Sequence, residues 1–190
     1  MRRIALVGDI GSGKTFFSKL FGYPVFNADL TVSKLYKKNK SLVKKIKKKF
    51  PQKVSSFPLK KEELLNIILQ KSKNLKVLER IIHPLVRKKM KNFLKKNKKK
   101  KFVVLDVPLF LENKLNTRKD TIVFIEADKR RINQKLNKRK NINLKLINIL
   151  RKNQFPTKLK KKKSTYIIKN NFVRNTAKKN VKMILQKISK

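Results

Sequence analysis

The stretch GDIGSGKT, residues 8–15, has the composition and spacing of a loop that binds phosphate groups. It matches the pattern G-x-x-x-x-G-K-[ST] at every fixed position, and three of the chain's four glycines, Gly8, Gly11 and Gly13, lie within it. Glycine lets the backbone turn back on itself without a Cβ, so that successive N–H groups converge on one anion. We therefore predict a nucleoside triphosphate site; a turn before a helix with an incidental lysine is the alternative.

The residues after the glycines have the chemistry to hold a triphosphate with its metal ion. We expect the Lys14 ammonium to bridge β- and γ-phosphate oxygens and the Thr15 hydroxyl to ligate Mg²⁺. The helix that begins near Gly13 adds about half a positive charge at its N-terminus. The candidate nucleotide-binding residues of the loop are Gly8, Gly11, Ser12, Gly13, Lys14, Thr15 and Phe16.

Two carboxylates follow apolar runs that we predict to be strands. Asp29 comes just after the run that ends at Asn27, and Asp106 follows VVL. In open α/β sheets, ligands bind beyond the carboxyl ends of the strands, so both side chains are expected to face the phosphate-binding loop. There Asp29 would orient an acceptor hydroxyl and take its proton, and Asp106 would hold Mg²⁺ through water. The alternatives are a helix cap for Asp29 and an ordinary turn residue for Asp106.

Three further residues are candidates for binding the acceptor of the phosphoryl group. Pro108 ends strand pairing and starts a loop that carries Glu112 towards the crevice. In LERIIHPLVR, Arg87 has the chemistry to pair with an anionic group of the acceptor, although an idle surface arginine is equally consistent with the sequence. His83, the only histidine, precedes a proline, which is more typical of a structural turn or cap than of a general base.

Arginines are concentrated after the fourth predicted strand. Only 10 of the 55 basic residues are arginines, yet Arg130, Arg131 and Arg139 fall within ten positions. A planar guanidinium suits a transferring phosphoryl group when a mobile lid closes over the nucleotide. We predict that role for Arg139, whereas a solvated helix face is the alternative for Arg130 and Arg131.

These residues must be positioned by a fold in which apolar runs alternate with helical stretches. The predicted strands cover residues 3–7, 24–27, 102–107, 121–126 and 166–168. The predicted helices cover 14–21, 29–36, 42–50, 60–70, 75–96, 129–138, 144–153 and 173–188. Near-continuous hydrophobic runs such as FVVLDV are typical of parallel strands covered on both faces. The order predicts a three-layer α/β fold with a parallel sheet of about five strands.

Length and composition limit the class of protein. At 190 residues we expect one domain with a substantial core. The chain has no cysteine, which excludes disulfides and thiolate metal sites, and no apolar run of about 18 residues that would indicate a membrane span. Because no export signal is visible, a cytoplasmic location is the expectation. We interpret the lysine runs 98–101 and 160–163 as solvated turns.

The net charge of +45, from 55 basic and 10 acidic residues, has two explanations. Such a charge is typical of proteins that bind nucleic acid or anionic surfaces. However, the excess is mostly lysine, spread through nearly every predicted helix and accompanied by many asparagines and isoleucines, and all three have AT-rich codons. We favour base composition as the cause. We therefore expect no specific nucleic-acid partner, although a basic nucleic-acid-binding module with a vestigial loop remains the rival hypothesis.

Several of these motifs together resemble one enzyme family. The stretches GDIGSGKT, NAD, LERIIHPLVR, DVPLFLE and YIIKNN look like those of dephospho-CoA kinases, in the same order and at matching spacing over nearly the whole chain. Many families share the glycine loop, including kinases of nucleoside monophosphates, but HPLVR followed by DVPLFLE is far more specific. The resemblance implies a P-loop nucleotide-kinase-like fold. It also implies ATP-dependent phosphorylation of the ribose 3′-hydroxyl of dephospho-CoA. We predict that the enzyme uses Mg²⁺ and is a monomer or weak oligomer.

The resemblance also implies an organisation and individual roles. The core would comprise residues 1–28, 99–136 and 164–190, with a helical acceptor-binding region at about 29–98 and a lid at about 137–163. Asp29 corresponds to the family's proposed base, and Lys14 and Thr15 to its phosphate and metal ligands. Asn170 falls where the family approaches the adenine.

The sequence departs from the family pattern at two places. The family usually reads Asp-Ala-Asp where this chain has Asn27-Ala28-Asp29, so the proposed base is kept and a neighbouring charge is lost. Near the last strand, Thr165 and Lys169 stand where acids are usual. We expect altered contacts to the adenine and a retained reaction.

Overall fold

A five-stranded parallel sheet forms the centre of the computed structural model, which describes residues 1–55, 57–138 and 142–189. The strands are β1 (Arg2–Gly8), β2 (Val25–Asn27), β3 (Phe102–Asp106), β4 (Asp120–Ala127) and β5 (Tyr166–Asn170). Their order is β2-β3-β1-β4-β5, and every neighbouring pair is parallel. The carboxyl ends of all five strands therefore meet at one edge, as the sequence predicted.

Helices connect the strands and cover both faces of the sheet. They are α1 (Lys14–Leu20), α2 (Ala28–Lys38), α3 (Lys40–Lys49), α4 (Lys61–Gln70), α5 (Lys73–Lys96), α6 (Lys129–Asn137), α7 (Leu144–Lys152), α8 (Thr157–Lys162) and α9 (Arg174–Ser189). Each predicted helix is present to within a few residues, and α8 was not predicted. In the part of the chain that the structure describes, no helix combines the length and the apolarity that crossing a membrane requires.

Alternate side chains of the central strand point into two different cores. Ile4 and Leu6 of β1 pack with Phe17 of α1 and Val181 of α9. The side chains between them point to the opposite face and pack with residues of α5, among them Phe93. Burial of both faces explains why the strand sequences read as continuous hydrophobic runs.

A third core joins the helices between β2 and β3, and it includes Leu42 of α3, Ile67 of α4 and Leu78 of α5. Helix α5 connects this helical core with the sheet, because Leu75, Leu78 and Ile82 of its first half pack among the helices. Side chains of its second half, such as Phe93, pack on the sheet. The long helix therefore fixes how the helical region stands relative to the edge of the sheet.

Two local interpretations from the sequence were wrong. The run 160–163 is not a solvated turn, because α8 includes most of it and Lys160 is only 5% exposed. His83 does not sit in a turn or at a cap, because both it and Pro84 lie inside α5. The other lysine run, 98–101, is solvent-exposed as predicted.

Candidate active site

The phosphate-binding loop has the backbone conformation that its glycines predicted. Gly8 and Gly13 have φ angles of +152° and +100°. A Cβ on Gly8 would lie 2.7 Å from the Ile125 carbonyl oxygen, and a Cβ on Gly13 would lie 2.7 Å from Nδ2 of Asn170. Both positions therefore exclude any side chain, because strand β4 and the end of β5 pack directly against the loop.

The Lys14 ammonium lies over the loop without a carboxylate partner. Its Nζ donates hydrogen bonds to the carbonyl oxygens of Asp9, at 2.8 Å, and Gly8, at 3.2 Å. Burial lowers the pKa of Lys14 from 10.5 to about 8, although the nearby charge of Asp106 raises it. A desolvated cation of this kind gains strongly from an anion that binds beside it.

The Thr15 hydroxyl and the Asp106 carboxylate form a connected pair at the edge of the sheet. Thr15 Oγ1 donates to Asp106 Oδ2 at 2.7 Å, and Asn27 Nδ2 donates to the same oxygen at 2.6 Å. Asn27 also caps α2, because its Oδ1 accepts a hydrogen bond from the Leu30 amide. An ionised aspartate at position 27 has no proton to donate to Asp106, so the departure from the family pattern creates a hydrogen bond as well as removing a charge.

Asp29 is not the cap of α2, since Asn27 has that role. Its carboxylate makes no hydrogen bond or ion pair with any residue in the described ranges. Burial raises the pKa of Asp29, the charge of Asp106 raises it further, and Lys14 lowers it. The side chain is therefore a free carboxylate close to both Lys14 and Asp106.

A cavity of about 610 Å³, which we call the main cavity, connects these groups with the helical region. Many of the residues predicted for the site line it: Gly11, Gly13, Lys14, Thr15, Phe16, Asp29, His83, Arg87 and Asp106. The rest of its wall is largely apolar and comes mainly from α2, α4, α5, α7 and the loop after β3. The structure thus brings the phosphate-binding loop to one space with two of the acceptor-binding candidates, His83 and Arg87.

His83 and Arg87 occupy successive turns of α5 on the wall of the main cavity. Burial and the charge of Arg87 lower the pKa of His83, so the imidazole is neutral at pH 7. The Arg87 side chain is exposed, and it makes no ion pair with the residues that the structure describes. It is therefore free to pair with an anionic group in the cavity.

Glu112 is directed to the segment that was predicted to be the lid, and it does not line the main cavity. Its Oε1 accepts a hydrogen bond from the Phe155 amide at 2.8 Å and lies 3.4 Å from Nζ of Lys160. The Lys160 ammonium also donates to Gln154 Oε1 at 2.6 Å, and Gln154 lines the cavity. This cluster was not predicted from the sequence, because Glu112 is more than 40 positions away from Gln154 and Lys160.

Asn170 connects β5 with the phosphate-binding loop. It is buried, its Nδ2 donates to the Ser12 carbonyl at 2.8 Å, and its Oδ1 accepts from the Phe172 amide at 2.8 Å. It lines a second cavity of about 780 Å³, beyond the carboxyl ends of β4 and β5, together with Asp128 and Arg131. Ser12 and Gly8 line neither cavity, and the buried Ser12 hydroxyl has no hydrogen-bond partner in the described chain.

The predicted arginines have different surroundings. Arg131 donates to the Asn171 carbonyl at 3.0 Å, and Arg130 is exposed on α6. Arg139 lies outside the described residues, so its role stays a prediction. Arg151 of α7, which the sequence did not single out, lies 3.6 Å from Asp9 of the phosphate-binding loop.

The oxygen ligands of this site suit Mg²⁺ when phosphate is present. Within the described ranges, no three or more His, Cys, Asp or Glu side chains are grouped closely enough to hold a metal ion by themselves. Magnesium in phosphoryl-transfer sites is commonly held by one or two protein oxygens, with water and substrate phosphates completing its shell. Thr15 and Asp106 fit that chemistry.

Comparisons with known proteins point to one family. Residues 2–175 match the family model described as dephospho-CoA kinase. The chain is 37% identical over 170 residues to a dephospho-CoA kinase of Wolbachia pipientis wMel, covering 87% of each protein. It is 35% identical over 173 residues to one of Bartonella quintana, covering 88% of each. In fold it is similar to TT1252 from Thermus thermophilus, with a TM-score of 0.80 and 23% identity over 98% of this chain and 97% of that one.

Proposed function

Because the chain belongs to the dephospho-CoA kinase family, we propose that it transfers the γ-phosphoryl group of ATP to the ribose 3′-hydroxyl of dephospho-CoA, giving CoA and ADP. One structural observation supports phosphoryl transfer to an acceptor in this protein. Lys14, Thr15, Asp106 and the free carboxylate of Asp29 line one cavity, which continues into an apolar region. A phosphate site, a metal site and a base thus face a space with room for an acceptor.

In this reaction Asp29 orients the 3′-hydroxyl and accepts its proton. The hydroxyl oxygen forms a bond to the γ-phosphorus while the bond from that phosphorus to the β–γ bridging oxygen breaks, and ADP leaves with the electron pair. Asp29 suits this step because its raised pKa makes it a better proton acceptor than an ordinary aspartate. Lys14 neutralises charge on the transferring group, in a position fixed by the loop carbonyls.

We propose that ATP binds with Mg²⁺, which Thr15 and Asp106 would hold. When bound, the ion neutralises phosphate charge and orients the triphosphate. We assign the adenine to the second cavity, beside Asn170. Arg139 remains our candidate for a lid arginine.

On the acceptor side, Arg87 is proposed to pair with a phosphate of dephospho-CoA, and neutral His83 to donate or accept a hydrogen bond. We also propose a cytoplasmic enzyme that acts as a monomer or weak oligomer without a specific nucleic-acid partner. The net charge of +45 supports this oligomeric state, since like charges oppose self-association.

Asp29→Asn tests the proposed role of the base. Purified protein is incubated with ATP-Mg and dephospho-CoA, and CoA is detected by mass. We expect the wild type to form CoA and Asp29→Asn to lose about 10²- to 10³-fold in kcat, because general-base catalysis contributes on that order.

Glu62→Gln is the matched control, because Glu62 is an exposed carboxylate without a partner in the described chain, and it should behave like the wild type. Wild-type turnover by Asp29→Asn would reject the role of Asp29. No CoA from the wild type, with ADP released when a nucleoside monophosphate is supplied instead, would reject the function.

A further inference from the structure

Of the chain's ten carboxylates, a few have no polar partner among the described residues, and these lie either on an exposed helix surface or in the main cavity. Seven form a hydrogen bond or ion pair with described residues: Asp9, Glu63, Asp106, Glu112, Asp120, Glu126 and Asp128. Glu62 is free but exposed on α4. The other two free carboxylates, Asp29 and Glu79, both line the main cavity, and Glu79 is half-buried. Glu79 has no role in the chemistry described above.

Glu79 lies at the end of the main cavity that is remote from the sheet. Glu79, His83 and Arg87 follow one another at four-residue spacing along one side of α5, so Glu79 is about 12 Å from Arg87 along the axis. Beyond Arg87, side chains of α5 such as Phe93 pack on the sheet, whereas Leu78 beside Glu79 packs in the helical core. A ligand that reacts at Asp29 reaches Glu79 only if it is long.

The surroundings of Glu79 are largely apolar, although the charge of Lys76 acts on it to lower its pKa. Leu64, Ile68 and Leu75 line the same part of the cavity, and so does Tyr36 of α2. Burial raises the pKa of Tyr36 to about 12, with a further contribution from the charge of Glu79, and burial also raises the pKa of Glu79 itself. The Tyr36 hydroxyl makes no hydrogen bond with any residue in the described ranges.

A half-buried carboxylate without a donor is unfavourable in the empty protein. Desolvating a polar group costs free energy unless a hydrogen bond replaces the lost water. This chain has 55 basic residues, yet none of those described lies within ion-pair distance of Glu79. A bound molecule that brings an N–H or O–H group to this point supplies the missing donor.

We propose that Glu79 is a specificity-determining residue, which accepts a hydrogen bond from an amide N–H or hydroxyl on the arm of the acceptor, with Tyr36 as a second polar contact. The inference rests on the proposed function. Dephospho-CoA carries, beyond its nucleotide, a long chain that contains amide groups and a hydroxyl. That chain has both the length and the donors that this end of the cavity requires.

The test compares two acceptors that share the reacting ribose. Steady-state kinetics at saturating ATP-Mg are measured with dephospho-CoA and with adenosine 5′-monophosphate, which has the 3′-hydroxyl but no arm. We expect Glu79→Leu to raise KM for dephospho-CoA about 10- to 100-fold, as for the loss of a hydrogen bond to a charged group, with kcat little changed. The kcat/KM for adenosine 5′-monophosphate should change less than 2-fold.

Two further variants separate a binding role from a structural one. Glu79→Gln keeps an acceptor oxygen, so it should raise KM for dephospho-CoA less than Glu79→Leu does. Tyr36→Phe should raise KM for dephospho-CoA by a few fold. Thermal unfolding of Glu79→Leu should occur at or above the wild-type temperature, because no internal partner is lost. Glu62→Gln again serves as the control with unchanged kinetics.

Equal losses with both acceptors, or unchanged KM for dephospho-CoA, would overturn the role of Glu79. Failure of the proposed function has a different result, since the wild type itself would then form no CoA from dephospho-CoA.

Discussion

The two sides of the main cavity differ in how their polar groups are satisfied. On the side next to the sheet, polar side chains hold one another, as in the contact of Thr15 with Asp106 and that of Gln154, on the cavity wall, with Lys160. On the side formed by the helices, Glu79, His83 and Arg87 make no hydrogen bond or ion pair with described residues. The sheet side is thus preorganised for phosphate and metal, whereas the helical side has contacts that only a ligand completes. Substitutions on the sheet side should therefore change stability as well as activity.

The largest expected effect is that of Lys14→Met, and it sharpens the comparison because Lys14, like Asp29, lies on the sheet side without a side-chain partner. We expect a loss of at least about 10²- to 10³-fold in kcat, since a preorganised charge at the transferring group is removed. The ligand-free variant should nevertheless be more stable than the wild type at pH 7. A pKa lowered from 10.5 to about 8 corresponds to up to about 3 kcal/mol at about 1.4 kcal/mol per pKa unit.

The pH dependence of this stability difference follows from linkage. Because the folded-state pKa of Lys14 lies below its unfolded value, the unfolded chain binds more protons between about pH 8 and pH 10.5. The destabilisation is complete below pH 8 and disappears as the pH rises towards 10.5. Urea unfolding of Lys14→Met and of wild type across this range measures it, with the exposed Lys19→Met as control. Equal unfolding free energies of Lys14→Met and wild type at pH 7 would show that burying the charged Lys14 ammonium does not destabilise the protein.

Lys160→Met should reduce stability, and its neighbour provides a matched control. Burial lowers the pKa of Lys160 although Glu112 raises it, but unlike Lys14→Met this variant leaves a nearly buried carboxylate, Glu112, without its cation. We therefore expect the free energy of unfolding to fall by about 3 kcal/mol. Lys161 pairs with Glu126 but its side chain is 41% exposed, so Lys161→Met should cost less than about 1 kcal/mol. Urea unfolding of both variants gives the comparison. If both variants reduced the free energy of unfolding by less than about 1 kcal/mol, Lys160 would behave like a solvated surface lysine. Its contact with Glu112 would then not count among those that stabilise the sheet side.

Thr15→Val should have a smaller effect on stability and a specific effect on metal use. The variant keeps the shape of the side chain but removes the hydroxyl that donates to Asp106, at a cost of about 1 kcal/mol. We expect the Mg²⁺ concentration for half-maximal activity to rise about 10- to 100-fold, whereas Thr15→Ser should stay near wild type. Titration of activity with Mg²⁺ measures the change. An unchanged Mg²⁺ requirement in Thr15→Val would remove Thr15 from the metal site.

The sequence predicted most elements of the fold because their patterns are local. Strands buried on both faces are visible as short hydrophobic runs, and all five were placed correctly. Helix α8 was missed because four of its six residues are lysines, which gives no amphipathic pattern. Its fourth residue, Lys160, is buried only because Glu112 and Gln154 are brought to it by the fold.

Site residues were predictable from the sequence where a suitable residue type stands at the spacing of a motif. They were less predictable where the role of a residue depends on its neighbours in the folded protein. Asp29 was left open between a base and a helix cap, and the structure gives the cap to Asn27. Glu79 and Tyr36 were not singled out, because a glutamate within a helix and a tyrosine in an apolar stretch have no distinguishing spacing. Their significance depends on what surrounds them.

The sequence by itself determined the phosphate-binding loop, since eight consecutive residues contain the glycines, lysine and threonine that its backbone geometry and chemistry require. It also determined the order of strands and helices, through hydrophobic periodicity. Only the tertiary structure decided which carboxylates are engaged and which remain free. Thr15 and Asp106 are 91 positions apart, and Glu112 accepts its hydrogen bond from a residue 43 positions away. Such pairings depend on the packing of distant segments, which no local pattern of residues encodes.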